Sequence, residues 1–439
     1  MINGGSNPMG FIGGSGRLRV RTAACAVVGA LALVATACGG SESGGGGGGG
    51  EGEPIMIGIA GAKTGPLSPY DGQPGNAFLL RLDEINKAGG VNGRKLEAKW
   101  IDTKSDKTIA ASAATQLIND GAVAILTTCD FDFGSPAAFQ AKAQDVPAIS
   151  LCASSPKNAT PAIIGKYGFS MGTGSDTEGV SAAEWIMDKK PWRKAYVLKD
   201  TSLEYSKATA DYFVARWKEL GGEIVGEDTF VGGENVDISA QATRAKAAES
   251  SADVIYIGSW NPGGSTAARQ LRNSGIALPL VGNQSSDGLL TKQVAGDISE
   301  YYSTPLACIP SYCTKGEGEN QDKVQKFFDD FKEKYGEDLS SSYPINGYDL
   351  GTVLQKAIEK AGTVDPPSKI AEAMETMGSV EGINSTFQFT KECHRPVGQK
   401  RIILRWNKGE GEFEETVAAK QIPDIGDASP CTGPQSGAE

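Results

Sequence analysis

The amino-acid sequence predicts an α/β protein built from two doubly wound parallel-sheet lobes. From Pro54 onward, short apolar segments with strand character alternate with longer amphipathic segments of helical spacing. The alternation runs through two consecutive series. Each series has the βαβ pattern that places parallel strands between layers of helices, so two series predict two lobes.

The first series begins with the apolar strand Ile55–Ala60. A helix over Asn76–Ala88 follows, because Phe78, Leu82 and Ile85 recur at helical spacing before Gly89 ends the pattern. The remaining elements of this series are strand Leu96–Asp102, helix Thr108–Asp120, strand Val123–Thr127, helix Pro136–Gln144 and strand Pro147–Leu151.

The second series repeats the same order. Its elements are strand Ala195–Leu198, helix Tyr205–Leu220, strand Glu223–Phe230, helix Ile238–Glu249, strand Val254–Gly258, helix Ser265–Ser274 and strand Leu278–Gly282. Two later helices, Gln321–Tyr335 and Gly347–Ala361, are expected to return and complete one lobe. Because ligands of open parallel sheets bind beyond the carboxyl ends of the strands, two facing lobes predict a cleft.

The N-terminal segment, residues 1–37, has the pattern of a secretory signal peptide. Arginines precede the apolar run Ala23–Ala37, which is shorter than the ~20 residues that span a bilayer. The run closes on Cys38 in a pattern that resembles the bacterial lipobox, so we expect Cys38 to be lipidated. The alternative is an ordinary secreted protein in which Cys38 is free. Residues 38–52 are rich in glycine and predict a flexible tether.

Composition excludes several classes of function. The chain has 42 Lys and Arg against 53 Asp and Glu, a net charge of -11, and lacks a basic block, so nucleic-acid binding is not expected. His394 is the single histidine, which excludes a histidine-rich metal centre. Because the sequence also lacks a C-x-x-C zinc pattern, we expect neither a metal nor a cofactor.

Six cysteines remain after the signal peptide and Cys38, and export would place them where disulfides persist. Six cysteines allow fifteen pairings, which the sequence alone leaves open. Cys129 and Cys152 follow neighbouring predicted strands, where a disulfide is plausible. The remaining candidates are Cys308 with Cys313, which would close a small loop, and Cys393 with Cys431.

One segment carries a family resemblance. The motifs are Ile57–Ala60, Thr64-Gly65-Pro66, Tyr70-Asp71-Gly72 and, above all, Ala88–Leu96 (AGGVNGRKL), which reads as a helix C-cap and a tight turn. This segment resembles the start of the type I periplasmic solute-binding proteins of the leucine/isoleucine/valine type. The order of elements is similar from Pro54 to about Trp406.

The resemblance implies a solute receptor of an ABC importer rather than an enzyme. Its fold has two lobes joined by three crossovers, here residues 53–172 with 303–390 and residues 173–302 with 391–439. It implies hinge closure on a small ligand, an ABC permease as partner, a monomer, and an extracytoplasmic location with the lipid anchor as the membrane attachment. A sensory lipoprotein of the same fold is the alternative.

The resemblance also implies a set of ligand-binding residues at strand ends. These are Tyr70, Cys129, Asp130, Cys152, Ser154, Tyr205, Trp260, Gln284 and Tyr343. Two positions depart from the amino-acid binders. Asp130 stands where those proteins have a serine that holds the α-carboxylate, and neutral Gln284 stands where they have a glutamate that pairs with the ammonium. The resemblance makes a branched-chain amino acid the first expectation. The two departures make an amide, an organic acid or a hydroxylated molecule the second.

One motif suggests an enzyme instead. Gly168–Gly172 fits the G-x-S-x-G pattern around Ser170, and His394 follows in the order of the serine hydrolases. A nucleophile elbow needs a helix directly after the serine, whereas here the next residues delay the helix to about Thr177. We therefore expect Ser170 to lie on a crossover strand rather than in a catalytic site.

Overall fold

The computed structural model describes residues 52–152, 155–172, 174–315, 318–396, 398–426 and Cys431. The chain divides into the units Met1–Gly48 and Gly49–Glu439, and every described residue belongs to the second unit. The predicted signal peptide, the Cys38 lipidation site, the tether apart from Gly52, and Ser154 lie outside the described residues.

The first sheet contains five parallel strands in the order β2-β1-β3-β4-β5. The strands are β1 (Ile55–Gly61), β2 (Leu96–Asp102), β3 (Ala124–Thr127), β4 (Ala148–Ser150) and β5 (Gly168–Ser170). The helices between them are α1 (Ser68–Lys87), α2 (Lys107–Asn119), α3 (Phe131–Ala143) and the short α4 (Pro161–Ile164).

The second sheet has eight strands in the order β11-β15-β14-β10-β9-β8-β6-β7. Its strands are β6 (Lys194–Asp200), β7 (Glu223–Phe230), β8 (Val254–Gly258), β9 (Leu280–Gly282), β10 (Tyr301–Ser303), β11 (Cys313–Lys315), β14 (Arg401–Asn407) and β15 (Glu410–Val417). A separate hairpin contains β12 (Val380–Glu381) and β13 (Thr386–Phe387). Strands β7, β6, β8, β9 and β10 are parallel, and β14 runs antiparallel to β10.

The remaining helices follow the same alternation. They are α5 (Ser175–Lys189), α6 (Glu204–Glu219), α7 (Ser239–Ala248), α8 (Gly263–Asn273), α9 (Leu289–Ala295), α10 (Gln321–Tyr335), α11 (Pro344–Ala361) and α12 (Ser368–Thr376). Helix α11 packs against α1, and its residues Leu350 and Leu354 share a core with Ile57 of the first sheet.

The chain passes between the two sheets three times, after β5, after α10 and after β13. The predicted α/β fold with two doubly wound sheets is confirmed. The lobe boundaries stay predictions, and one observation bears on them. Phe327 and Phe331 of α10 share a core with Trp406 of β14, so this helix lies against the second sheet rather than the first.

Two features position the candidate site. Asp71 in the first turn of α1 is fully buried and accepts hydrogen bonds from the N–H of Ala62 (2.7 Å) and of Cys129 (3.0 Å). These bonds tie the helix start to the ends of β1 and β3. The disulfide Cys129–Cys152 then ties the end of β3 to the end of β4.

The six described cysteines form three disulfides, Cys129–Cys152, Cys308–Cys313 and Cys393–Cys431, which are the predicted pairs. Within the described part of the chain, every helix is too short or too polar to cross a membrane.

Candidate functional site

A cavity opens where the loops of the two sheets meet. It encloses about 340 Å³ of empty space, including the part that is open to solvent. The lining residues are Leu67, Tyr70, Cys129, Asp130, Cys152, Leu203, Tyr205, Trp260 and Tyr343.

The first sheet supplies one wall at the carboxyl ends of its strands. Cys129 and Asp130 follow β3, Cys152 follows β4, and Tyr70 lies in the first turn of α1. The disulfide and the buried Asp71 carboxylate hold these segments together. This wall is therefore fixed by covalent and hydrogen bonds rather than by packing alone.

The second sheet supplies the opposite wall. Tyr205 follows β6 and Trp260 follows β8, and both side chains are less than a tenth exposed. The Tyr205 hydroxyl donates to Glu178 Oε2 (2.7 Å), and Trp260 Nε1 donates to Ser202 Oγ (2.9 Å). Both rings are thus oriented by hydrogen bonds to side chains of the second lobe.

Aromatic side chains surround the cavity. The ring centroids of Tyr70 and Tyr343 are 5.5 Å apart in an edge-to-face arrangement, and those of Tyr70 and Trp260 are 6.3 Å apart. Such tilted pairs are the favoured geometry for aromatic rings. We call Tyr70, Tyr205, Trp260 and Tyr343 the aromatic cage.

Among the described lining residues, Asp130 is the one with an acidic or basic side chain. It is 4% exposed, and neither carboxyl oxygen has a hydrogen-bond partner among the described residues. Burial, followed by the nearby carboxylate of Asp132, raises the pKa of Asp130 to about 8. The N–H groups of Asp132 and Phe133 at the start of α3 oppose this rise, but they face the carboxylate without forming a capping hydrogen bond.

A buried polar network lies behind the Tyr205 wall. Glu178 of α5 accepts from the Tyr205 hydroxyl and from the N–H of Gln284 (2.9 Å). Arg401 of β14 donates to Gln284 Oε1 (2.6 Å), and its Nη2 lies 3.6 Å from Glu178 Oε1. Burial raises the pKa of Glu178, while Arg401 opposes that rise. The network holds Tyr205 in place.

Hydrogen bonds connect the two walls directly. The Tyr70 hydroxyl donates to the Asn261 carbonyl oxygen and accepts from the Asn261 N–H, both at 2.9 Å. The Glu204 N–H donates to Asp132 Oδ2 (2.8 Å), and the Glu204 carboxylate pairs with Lys157 (2.6 Å). These contacts close the loops of the first sheet over those of the second.

The structure brings most of the predicted ligand residues to one place. Tyr70, Cys129, Asp130, Cys152, Tyr205, Trp260 and Tyr343 line the cavity. Gln284 lies behind the wall in the Glu178 network, and Ser154 is outside the described residues. That these side chains bind a ligand stays a prediction.

Sequence reasoning missed Glu178 and Arg401. Both lie in segments whose pattern carries no motif, and they meet only through the tertiary fold, 223 positions apart in number. The one available signal was the apolar run Ile402–Leu404 that follows Arg401 in strand β14, where a charged residue points to a buried partner.

The residues of the hydrolase motif do not assemble a catalytic pair. Ser170 is buried, and its hydroxyl contacts the Gly172 carbonyl oxygen (3.2 Å). The ring nitrogens of His394 contact the Gly168 carbonyl oxygen (2.8 Å) and Glu375 Oε1 (3.1 Å). Helix α5 starts at Ser175 rather than directly after the serine. Among the described residues, no cluster of three or more His, Cys, Asp or Glu side chains could hold a metal ion.

Comparison with known proteins adds a family. Residues 54–410 match the periplasmic binding protein family. A leucine-, isoleucine-, valine-, threonine- and alanine-binding protein of Pseudomonas aeruginosa is 27% identical over 320 residues, covering 73% of this chain and 82% of that protein. A Leu/Ile/Val-binding protein of Rhizobium johnstonii is 25% identical over 325 residues, covering 73% of this chain and 83% of that protein.

Solved structures show the same fold. The branched-chain amino acid transporter substrate-binding protein of Streptococcus pneumoniae, solved with isoleucine, aligns with a TM-score of 0.71 at 24% identity, covering 83% of this chain and 99% of that one. An ABC transporter substrate-binding protein of Sphaerobacter thermophilus aligns with a TM-score of 0.73 at 18% identity, covering 84% of this chain and 99% of that one. The family and the curated relatives are binding proteins, which favours a binding role for this chain.

Proposed function

The chain belongs to the periplasmic binding protein family, and from this premise we propose that it captures a small polar solute for an ABC importer. The solute would enter between the two sheet layers, which act as the two lobes. Residues from both lobes would contact it, so that binding stabilises the closed arrangement. The permease would recognise that closed form.

One observation carries the proposal. The cavity is lined by side chains from both lobes, and hydrogen bonds between Tyr70 and Asn261 and between Asp132 and Glu204 span its edge. A solute that adds contacts to both walls would shift the population toward this arrangement, because ligands favour the state that they bind better. A cavity within one lobe would not couple occupancy to closure.

The relatives bind branched-chain amino acids, which are the first candidates for this chain too. Amides, organic acids and hydroxylated small molecules are the alternatives, because Asp130 and Gln284 differ from the residues that the amino-acid binders use. A further reason to consider these alternatives is that Gln284 Oε1 already accepts a hydrogen bond from Arg401, so this amide oxygen has a partner within the protein.

Attachment to the membrane forms a second part of the proposal. We infer that residues 1–37 are removed and that Cys38 carries the lipid, with the glycine-rich residues 38–52 as the tether. A Cys38→Ala variant should then be absent from the membrane fraction and should not incorporate radiolabelled palmitate. A Cys25→Ala variant should remain in the membrane fraction and incorporate the label. Equal labelling of the two variants would contradict lipidation at Cys38.

A thermal-shift screen tests the receptor function. The purified protein is melted with leucine, isoleucine, valine, threonine, alanine, amides, organic acids and small amines. A ligand in excess should raise the melting temperature by mass action. Small-angle scattering with each hit should show a smaller radius of gyration, since closure brings the lobes together. A hit that leaves the scattering unchanged, or a screen without any hit, would contradict the proposed function.

A further inference from the structure

We propose that the solute is a small organic cation whose ammonium group binds Asp130 inside the aromatic cage. The inference rests on the proposed function, because it names the solute class for the same cavity. Three features of the cavity carry it: an unpaired buried carboxyl group, aromatic faces whose polar ends already have partners, and the lack of a basic side chain among the described lining residues.

The carboxyl group of Asp130 is placed to receive a donor. It lines the cavity, is 4% exposed, and has no hydrogen-bond partner among the described residues. A buried carboxyl group without a partner is unfavourable, and a pairing cation with N–H or N–CH₃ groups relieves that cost. A ligand carboxylate at the same place would instead be repelled.

The aromatic cage suits a cation for a separate reason. The hydroxyl of Tyr70 is bonded to Asn261, that of Tyr205 to Glu178, and the indole N–H of Trp260 to Ser202. Their polar ends are therefore used within the protein, and the cavity meets mainly ring surface. Ring faces of Trp and Tyr attract ammonium groups, and cages of such rings recognise quaternary ammonium ligands.

The described lining offers no basic side chain for an anionic ligand. Two basic side chains that contact residues beside the walls already have partners: Lys157 pairs with Glu204 (2.6 Å), and Arg401 donates to Gln284 and to the Thr304 carbonyl oxygen. The charge that the cavity presents is therefore negative or neutral, depending on Asp130. This balance favours a cation over an organic acid.

The charge state of Asp130 links binding to pH. Burial raises the pKa of this carboxyl group to about 8 in the ligand-free protein, and the facing carboxyl groups of Asp132 in α3 and Asp71 in α1 add to the rise. The N–H groups of the first turn of α3 act in the opposite direction. A bound cation would stabilise the ionised form, so a proton is released on binding below about pH 8. Affinity should therefore rise between about pH 6 and pH 8.

Calorimetry with a matched series tests the solute class. Isopentylamine, isocaproate and isocaproamide share the side chain of leucine but carry, respectively, only the ammonium, only the carboxylate, or an amide. Choline and tetramethylammonium add quaternary cations. We expect at least one ammonium compound to bind about tenfold or more tightly than leucine and isocaproate. Proton release, measured in two buffers of different ionisation enthalpy, should accompany it.

A pair of variants separates Asp130 from a general charge effect. Asp130→Asn should weaken binding of the ammonium compound by about 10- to 100-fold and remove its pH dependence. Asp145→Asn removes one negative charge just beyond the other end of α3, at an exposed position, and should bind like the wild type. Proton release by the wild type tests the same point if the Asp130 variant does not fold.

The failures of the two proposals differ. If leucine, isocaproate or isocaproamide binds at least as tightly as every ammonium compound, the cation inference is wrong while the receptor function stands. The same holds if Asp130→Asn keeps wild-type affinity for the cation, or if the ammonium compounds fail and another solute of the thermal-shift screen binds with closure. If no solute binds at all, both proposals fail.

Discussion

At the scale of single residues, three buried carboxyl groups lie in or beside the cavity walls. Asp71 and Glu178 are fully buried, and Asp130 is nearly so. Asp71 and Glu178 have hydrogen bonds to hold them, whereas Asp130 has none among the described residues. The first two therefore serve the architecture of the walls, whereas the third is the group that the proposed solute would contact.

The Asp130→Asn variant should make the ligand-free protein more stable at pH 8. The pKa of Asp130 is about 8 in the folded protein against 3.8 as its ordinary value, so the folded state holds the proton more tightly. Its contribution to stability therefore decreases as pH rises from about 4 to about 8, because the unfolded chain ionises first. An uncharged amide removes this loss.

Melting temperatures of both proteins between about pH 4 and pH 8 test this expectation, since a change in stability shifts the melting temperature by a few degrees. The variant should show a flatter profile and a higher value at pH 8, and Asp145→Asn should follow the wild type. Asp71, with a pKa of about 6, and Asp349, with a pKa of about 7, keep part of the slope in every protein. Parallel profiles for the wild type and Asp130→Asn would contradict the raised pKa.

The buried ion pair of Arg401 and Glu178 gives a second prediction at the scale of single residues. Both are at most 1% exposed, and Arg401→Met would leave the Glu178 carboxylate without its cation. Removing one partner of a buried pair costs about 3–5 kcal/mol. Arg405→Met on the same strand removes a half-buried cation that pairs with Glu300, and should cost about 1 kcal/mol or less.

Urea unfolding measures both free energies. The double variant Glu178→Gln with Arg401→Met should recover part of the loss, because it leaves no buried charge unpaired. Equal losses for Arg401→Met and Arg405→Met would show that the buried pair contributes no more than a surface ion pair.

At the scale of elements, the apolar pattern predicted bounds well where the elements are regular. Strands β2, β7 and β8 and helix α10 have the predicted bounds. In each, the apolar residues recur regularly and the flanking residues favour turns. Helix α1 starts at Ser68 rather than at Asn76, since Gly72, Pro74 and Gly75 resemble a loop. Tertiary packing overrides these local preferences.

The β14–β15 hairpin was not predicted at all, although its turn has a recognisable form. Lys408 and Gly409 both have positive φ angles (51° and 74°), which a two-residue hairpin turn requires. The strands continue the second sheet by antiparallel pairing with β10. A pattern of alternating strands and helices does not indicate an antiparallel sheet extension of this kind, so the role of Arg401 was not predicted either.

The two early glycines of α1 give a prediction at this scale. A Cβ atom at Gly75 would lie 2.1 Å from the Trp100 ring, whereas one at Gly72 would meet nothing within 4 Å. The Trp100 indole is held by a hydrogen bond to the Gly61 carbonyl oxygen (2.9 Å), so it cannot move freely. Gly75→Ala should therefore destabilise the protein by about 1–3 kcal/mol, as overpacking does.

Gly72→Ala is the matched control in the same helix. It should stabilise the protein by up to about 1 kcal/mol, because alanine is the better helix former and the site has room. Denaturant unfolding of the three proteins measures the difference. Similar effects of the two substitutions would mean that helix propensity, rather than contact with Trp100, decides the outcome.

At the scale of the whole molecule, direct polar contacts join the two sheet layers at the cavity. The aromatic residues that wall it lie far apart in sequence, and only the family resemblance placed them together in advance. The contacts that hold the two walls against each other, such as Tyr70 with Asn261, use backbone groups of loops. A sequence pattern carries no information on such contacts, because any residue supplies the same N–H and C=O.

The Tyr70 hydroxyl is the contact whose removal should affect closure most directly. Tyr70→Phe keeps the ring in the aromatic cage but removes both hydrogen bonds to Asn261, each 2.9 Å long. Because these bonds exist only when the walls meet, their loss should favour the open arrangement. At about 1 kcal/mol per bond, solute affinity should fall by about 5- to 30-fold. Small-angle scattering of the ligand-free variant should give a larger radius of gyration than the wild type.

Tyr348→Phe is the control: it removes a hydroxyl that bonds Glu84 (2.6 Å) between α11 and α1, within one lobe. It should change neither the solute affinity nor the radius of gyration. If Tyr70→Phe binds and scatters like the wild type, closure depends on the solute and on contacts such as Asp132 with Glu204, rather than on this hydroxyl.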